Sequence, residues 1–345
     1  MGASLLAIFW LLLAGASLSA QMPRVGLVEY YGYQKLNPDR IARMIGVRPG
    51  DPLPPAKSDL EQTLSASRDV VAAHIEGYCC HGEDVVLYVG VLEPGARVFA
   101  LHSPPSQDVD LPLKLQLVYD RLVQKLEAAH GRGATREDFS EGYPLSEDAE
   151  ARRAQEQLAL LTDDEMVASL GEVLRRSADE QNRIAAAYIL AYAADRQAAE
   201  GHLQYALRDF HPDVRRNALQ SLEFIRMSME KRPQPSFQVS STWLIEMLHS
   251  VVWTDRMEAA RMLMRLTASR DESVLTSLEE RGLSPLGQMA LWKVAEHAEA
   301  PYVLLGRIAR LPEAEIRASF AKGNRDVVLD AIRERAAEKR RFIFF

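Results

Sequence analysis

Hydrophobic positions along the chain change their period twice. Residues 1–20, MGASLLAIFWLLLAGASLSA, hold an unbroken apolar run from Leu5 to Leu13 and no charged side chain. From residue 22 to about 101 the pattern switches between strand and helix. Val25, Leu27, Val28, Tyr30 and Tyr31 predict a strand rich in β-formers. Asn37-Pro38-Asp39 predicts a helix start, because Asn accepts from the free amides of the first turn and Pro at the first helical position loses nothing by lacking an N–H. Ile41, Met44 and Ile45 give that helix one apolar face, Gly46 stops it and Pro49-Gly50 marks a turn. Leu60, Leu64 and Val71 fall at the spacing of a second helix. Ala73, Ile75 and Gly77 alternate with His74, Glu76 and Tyr78, and Val85, Leu87, Val89 and Val91 alternate through a closing strand. The order β-α-α-β-β predicts a small α+β domain over residues 21–102.

Beyond it, residues 103–146 read as a linker that carries one amphipathic helix. Pro, Ser and Asp dominate its start, then Leu115, Val118, Leu122 and Leu126 form a helical stripe that Gly131-Arg132-Gly133 ends. Residues 134–150 are polar and acidic and predict irregular chain. Over residues 147–338 the strand signals vanish and an all-α region is expected. Thr162-x-x-Glu165 and Ser177-x-x-Glu180 fit the capping box. His211-Pro212-Asp213 and Ser284-Pro285 open further helices, with short breaks at 208–212, 232–235 and 281–285. Short turns between such helices make sequence neighbours antiparallel.

The helices repeat. NRIAAAYIL from Asn182, VRRNALQSL from Val214 and RMEAARMLM from Arg256 each pass from a polar turn to a small Ala and then to aliphatics. Ala186, Ala218, Ala260 and Ala290 are the equivalent positions, at spacings of 32, 42 and 30 residues. The segment HPDVRRNALQSL resembles the HEAT-repeat signature, with Asp213 beginning the second helix of a repeat and Arg215 following. That resemblance implies a HEAT-like α-solenoid, in which Asp213 and Arg215 cap and brace neighbouring repeats and the Ala positions let helices approach closely. The N-terminal segment, through VGLVEYYG, NPDRIARMIGV, RPGDPL and DVVLYVGVLE, resembles a polypeptide-transport-associated (POTRA) domain. This second resemblance implies polypeptide partners in envelope assembly, bound by strand addition at a sheet edge.

Composition narrows the functional classes. Hydrophobic residues are 47% and charged residues 26%, which is globular, and the net charge of −7 disfavours nucleic acid as the main partner. The run at Leu5 to Leu13, followed by Ala14-Gly15-Ala16 and by Ala20, reads as a cleaved signal peptide, with an uncleaved inner-membrane anchor as the alternative. The expected location is therefore the periplasm or the cell envelope. The only cysteines are Cys79 and Cys80, which can form an adjacent-residue disulfide or stay free. With His74 and His81 they are the one candidate ligand cluster, but neighbours on a strand point to opposite faces, so a strand end is the better reading. No phosphate-cradling glycine motif, His-Glu-x-x-His or Gly-x-Ser-x-Gly occurs. No catalytic residue, metal or cofactor is expected. The tail Lys339-Arg340-Arg341 with Phe342 to Phe345 reads as a cap on the last apolar face, or as a membrane or partner contact. The sequence thus predicts an exported, non-enzymatic scaffold that binds polypeptides. A HEAT-like lyase or hydroxylase and a membrane-tethered structural module stand as alternatives.

Overall fold

A strand with no charged residue on either face of its interior has two faces to bury, and β3 (Asp84–Leu92) is such a strand: all its residues from Val85 to Val91 are buried. The computed structural model describes residues 23–81, 84–231 and 239–343. The expected signal peptide, the break at 232–235 and the last two Phe residues lie outside the described residues. Three strands, β1 (Val25–Tyr31), β2 (Ala72–His81) and β3, make a sheet of order β1-β3-β2. β1 runs parallel to β3, and β2 runs antiparallel to it. Between β1 and β2 lie α1 (Pro38–Ile45) and α2 (Lys57–Ser65). Asn37 caps α1 by accepting from Arg40 N, and Gly46 ends it in the left-handed region. Val71 lies beyond α2 as an exposed residue that leads into β2, so its helical spacing with Leu60 and Leu64 is coincidental.

The two faces of the sheet have different partners. Val85, Leu87, Val89 and Val91 pack with Ile41, Ile45 and Leu64 of α1 and α2. Val86, Tyr88 and Tyr31 belong to the core of the helical region. That region comprises α3 (Leu113–Gly131), a two-stranded ribbon β4 (Glu137–Asp138) and β5 (Leu145–Ser146), then α4 (Ala149–Leu161), α5 (Asp164–Arg176), α6 (Glu180–Ile189) and α7 (Arg196–Ala206). It continues with α8 (Pro212–Lys231), α9 (Ser241–Met247), α10 (Trp253–Leu266), α11 (Glu272–Arg281), α12 (Leu283–Ala290), α13 (Ala295–Ile308), α14 (Glu313–Ala321) and α15 (Asp326–Ile343). Helices α6, α8, α10, α13 and α15 pack each on the next as one layer, while α5 packs on α7 and α9 on α11. The chain is thus a small α+β region followed by stacked helices.

Helix starts depart from the expected boxes. Asp163 caps α5 and Asp179 caps α6, each through its own carboxylate. Thr162 instead donates to Leu158 O and Ser177 closes α5. A carboxylate one or two residues downstream is as good an acceptor and adds favourable charge at the helix N-terminus.

Residues 96–112 run along the helices. Arg208 Nε donates to Ala100 O at 2.8 Å, and His102 N donates to Arg208 O at 2.8 Å. Gln107 N donates to Arg176 O, and Ala178 N donates to Gln107 O. Phe99 and Leu111 are buried, and Leu115, Val118 and Leu122 of α3 sit in the helical core.

Where the sheet meets the helices, the approach is close. A Cβ on Gly90 would lie 2.4 Å from Val251 O and 2.6 Å from the Tyr31 ring. Gly90→Ala is therefore expected to destabilise the protein by about 1–3 kcal/mol, the usual cost of overpacking. Urea unfolding of the two proteins measures this, and equal midpoints would show that the sheet gives way freely.

Candidate interaction groove

Further along the same helix layer, α8, α10 and α13 enclose a groove of about 520 Å³. Leu219, Met262 and Ala300 contribute apolar surface. Its polar walls are Arg216 and Glu223 from α8, Glu258, Arg261 and Arg265 from α10, and Glu296 and Glu299 from α13. Arg261 pairs with Glu258 at 2.9 Å and with Glu296 at 3.5 Å, and Arg265 pairs with Glu223 at 3.1 Å. Glu299 pairs with Arg317 at 2.5 Å. Such partly exposed pairs contribute roughly 0–1 kcal/mol each, so a ligand that offers its own charges replaces them at little loss. The arrangement suits recognition by exchange of ion pairs over an apolar floor.

The same repeats are braced by buried arginines at their turns. Arg183 Nη1 reaches back to Ser177 O at 2.8 Å, and Arg215 Nη1 to Asp209 O at 2.8 Å. Arg256 Nε reaches Ser250 O at 2.5 Å. Each arginine thus bonds the carbonyl six residues earlier, and two of them also bridge to the next repeat. Arg183 pairs with Asp209 at 2.9 Å and Arg215 with Asp255 at 2.7 Å, all four side chains being buried.

The residues singled out in the sequence fall at different places on this frame. Arg215 is one of the braces. Asp213 is partly exposed and pairs with Arg216 on its own helix at 3.0 Å. Ala186 and Ala218 each lie three residues after a bracing arginine and are buried where α6 meets α8. There Asn217 Nδ2 and Ser221 Oγ donate to Ile184 O and Ala187 O of the neighbouring helix. Ala260 is buried one residue beyond the position that Arg256 defines, which is Ala259. Ala290 is buried at the end of α12, where Arg325 Nη1 donates to its carbonyl. The arginine three residues before the small residue, in NRIAA, VRRNA and RMEAA, is the signal that finds the braces. In the N-terminal cluster, His74 lies 3.2 Å from Glu61 and 3.5 Å from Glu76, and Cys79 is disulfide-bonded. The side chains of Cys80, His81 and Lys339 to Phe345 lie outside the described residues.

The sheet docks on the first turns of α10 and α13. Neither helix has a side-chain cap of its own. Glu76 of β2 accepts from Trp253 N at 2.7 Å and from Thr254, and Glu29 of β1 accepts from Lys293 N at 2.7 Å. Gln288 of α12 accepts from Gly32 N and donates to Tyr33 O. Tyr88 stacks on Trp253, with ring centres 4.5 Å apart, and meets Trp292 edge-on. Its hydroxyl lies 2.5 Å from His297 Nδ1. Burial raises the Tyr88 phenol well above its usual range, so it stays protonated and donates to Nδ1. Burial likewise pushes fully buried His297 down to about 4, and the Arg261 charge adds to the shift.

Two outcomes follow from these contacts. Arg215→Met leaves Asp255 buried without its guanidinium and is expected to cost about 3–5 kcal/mol, largely restored by adding Asp255→Leu. Chemical denaturation of the single and double variants measures both. His297 binds its proton more readily in the unfolded chain, so its contribution is complete above about pH 6.5 and is lost as pH falls towards 4. The loss is at most about 1.4 kcal/mol per pH unit. His297→Asn is expected to flatten that part of the stability profile between pH 7 and 5; an unchanged slope would assign it to other groups.

No curated protein matches this chain. Residues 167–264 match the model for HEAT repeats, a span that runs from α5 into α10 and includes Arg183, Arg215 and Arg256. The helical region of this protein is therefore a repeat structure of HEAT type over that span.

Proposed function

We propose that this chain is an exported, non-enzymatic scaffold that holds a polypeptide in the groove over α8, α10 and α13. The observation that carries the reading is the groove itself: an apolar floor and walls of both charge signs, on repeats held by buried arginine braces. HEAT repeats generally mediate protein–protein contacts, which favours a protein partner. An extended segment with acidic and basic side chains flanking an apolar one fits these walls. The β1-β3-β2 sheet with its two helices supports the POTRA-like reading, and with it a place in envelope assembly. The apolar run at Leu5 to Leu13 is the support for export; held uncleaved, residues 2–20 would tether the scaffold to the inner membrane, and the basic-aromatic tail would offer a second membrane contact. Among the described residues no helix is long and apolar enough to cross a membrane.

The test is site-specific photo-cross-linking in the native cells. A cross-linker at Gln220, which lines the groove, is expected to capture a discrete envelope polypeptide, and Arg261→Glu with Arg265→Glu to abolish that adduct. A cross-linker at Leu160, which is 84% exposed and away from the groove, serves as the control. Identical adducts at both positions would overturn the groove as the binding surface, and purely cytosolic partners would overturn export.

A further inference from the structure

The ladder of bracing arginines ends on a cation that lacks an acid. Arg183 meets Asp209 and Arg215 meets Asp255, but Arg256, at the same position of the next repeat, has no carboxylate within ion-pair distance among the described residues. Asp255 beside it in sequence is already held by Arg215 and by Ser250 Oγ. Arg256 is only 3% exposed. Its Nε is used by Ser250 O, and its guanidinium lies 4.7 Å from the centre of the Tyr31 ring. Its Nη1 is buried with no hydrogen-bond partner among the described residues. A ring face attracts a cation but does not neutralise it, and an unpaired guanidinium away from water is strongly unfavourable.

Arg256 lines a small cavity of about 50 Å³ between the sheet and α12. Arg97, His249, Gly32, Ser284 and Gln288 line it too, and no lining residue is acidic. Arg97 is engaged by Glu246, and His249 Nε2 donates to Arg281 O. The cavity therefore carries an excess of positive charge. Gly32, at φ +81°, keeps it open: a Cβ there would lie 3.3 Å from Arg256 Nη2 and 2.2 Å from Val91 O. The space is narrow and admits a small ion or a few waters beside the guanidinium.

We propose that this cavity binds one small monovalent anion of halide size on Arg256. The anion does in the third repeat what Asp209 and Asp255 do in the first two, and it joins the sheet to the helices at the point where the ladder meets Tyr31. Binding to the folded state alone makes stability depend on the anion.

The experiment compares thermal unfolding of the whole protein in sodium bromide, sodium chloride and sodium gluconate at one ionic strength, gluconate serving as the bulky, weakly binding anion. The expected result is a rise of roughly 2–4 °C in either halide over gluconate when the halide exceeds its dissociation constant about tenfold, growing further with the logarithm of halide concentration. Arg256→Met is expected to remove that difference, which separates a bound ion from a general salt effect. Crystals of the unaltered protein grown in bromide provide a reading that does not depend on the variant folding, with an anomalous peak expected beside Arg256 Nη1. Equal melting in halide and gluconate, a halide effect that persists in Arg256→Met, or bromide found only as an adventitious ion elsewhere would each overturn the site.

Discussion

The docking of one sheet face on the first turns of α10 and α13 is the contact on which the other features depend. A three-stranded sheet with two short helices covers one of its faces and leaves the other open, and a face that carries Tyr31, Val86 and Tyr88 cannot be left in water without a large loss of burial. The helices have a complementary deficit. α10 and α13 begin without caps, so their first amides need acceptors from elsewhere. Glu76 supplies them for α10, and Glu29 holds the chain just before α13 by accepting from Lys293 N. Each part thus satisfies what the other lacks, in apolar area and in hydrogen bonds at once.

This interdependence explains what was legible in the sequence and what was not. Local signals read well: the Asn37 cap, Pro38, the Gly46 stop, the final strand and the helical tract all rest on contacts within a few residues. The HEAT signature around Arg215 was equally local. The joint was not foreseen, because its partners are about 180 to 260 residues apart. Yet a trace of it is present in DVVLYVGVL. Val85, Leu87, Val89 and Val91 alone suggest a one-sided strand, but Val86, Tyr88 and Gly90 between them contain nothing charged, the mark of a strand buried on both faces. The capping boxes misled for a different reason. Thr162 and Ser177 stand one and two residues before Asp163 and Asp179, and spacing alone does not tell which of two near acceptors takes the amide. In the groove, the charged residues carry no signature, since exposed charges on a helix layer look like solvated surface until neighbouring helices bring them together.

The braces show how a repeat frame divides its work. Arg183 and Arg215 are buried, and each satisfies its guanidinium with two kinds of acceptor, turn carbonyls of its own repeat and a carboxylate of the next. A buried pair of this type adds little net stability over an apolar substitute, but it fixes the relative position of two repeats, because any slippage leaves a charge unpaired. The exposed pairs of the groove have the opposite character. They are weak, solvated and replaceable, and so they are free to serve a ligand without disturbing the frame.

Helices α10 and α13 carry both kinds of group on successive turns. On α10, Trp253 and Arg256 face the sheet while Glu258, Arg261 and Arg265 line the groove. On α13, His297 touches Tyr88 while Glu296 and Glu299 line the groove. A helix turn is rigid over this distance, so a shift of the sheet that moves Tyr88 against His297 also moves the neighbouring groove walls. Joint and groove are thus built on the same two helices. Protonation of His297 is unfavourable at the joint, because the charge forms within an aromatic cluster that offers its Nε2 no described acceptor. Any coupling of a ligand held across α10 and α13 to that protonation is reciprocal, as linkage between two sites must be.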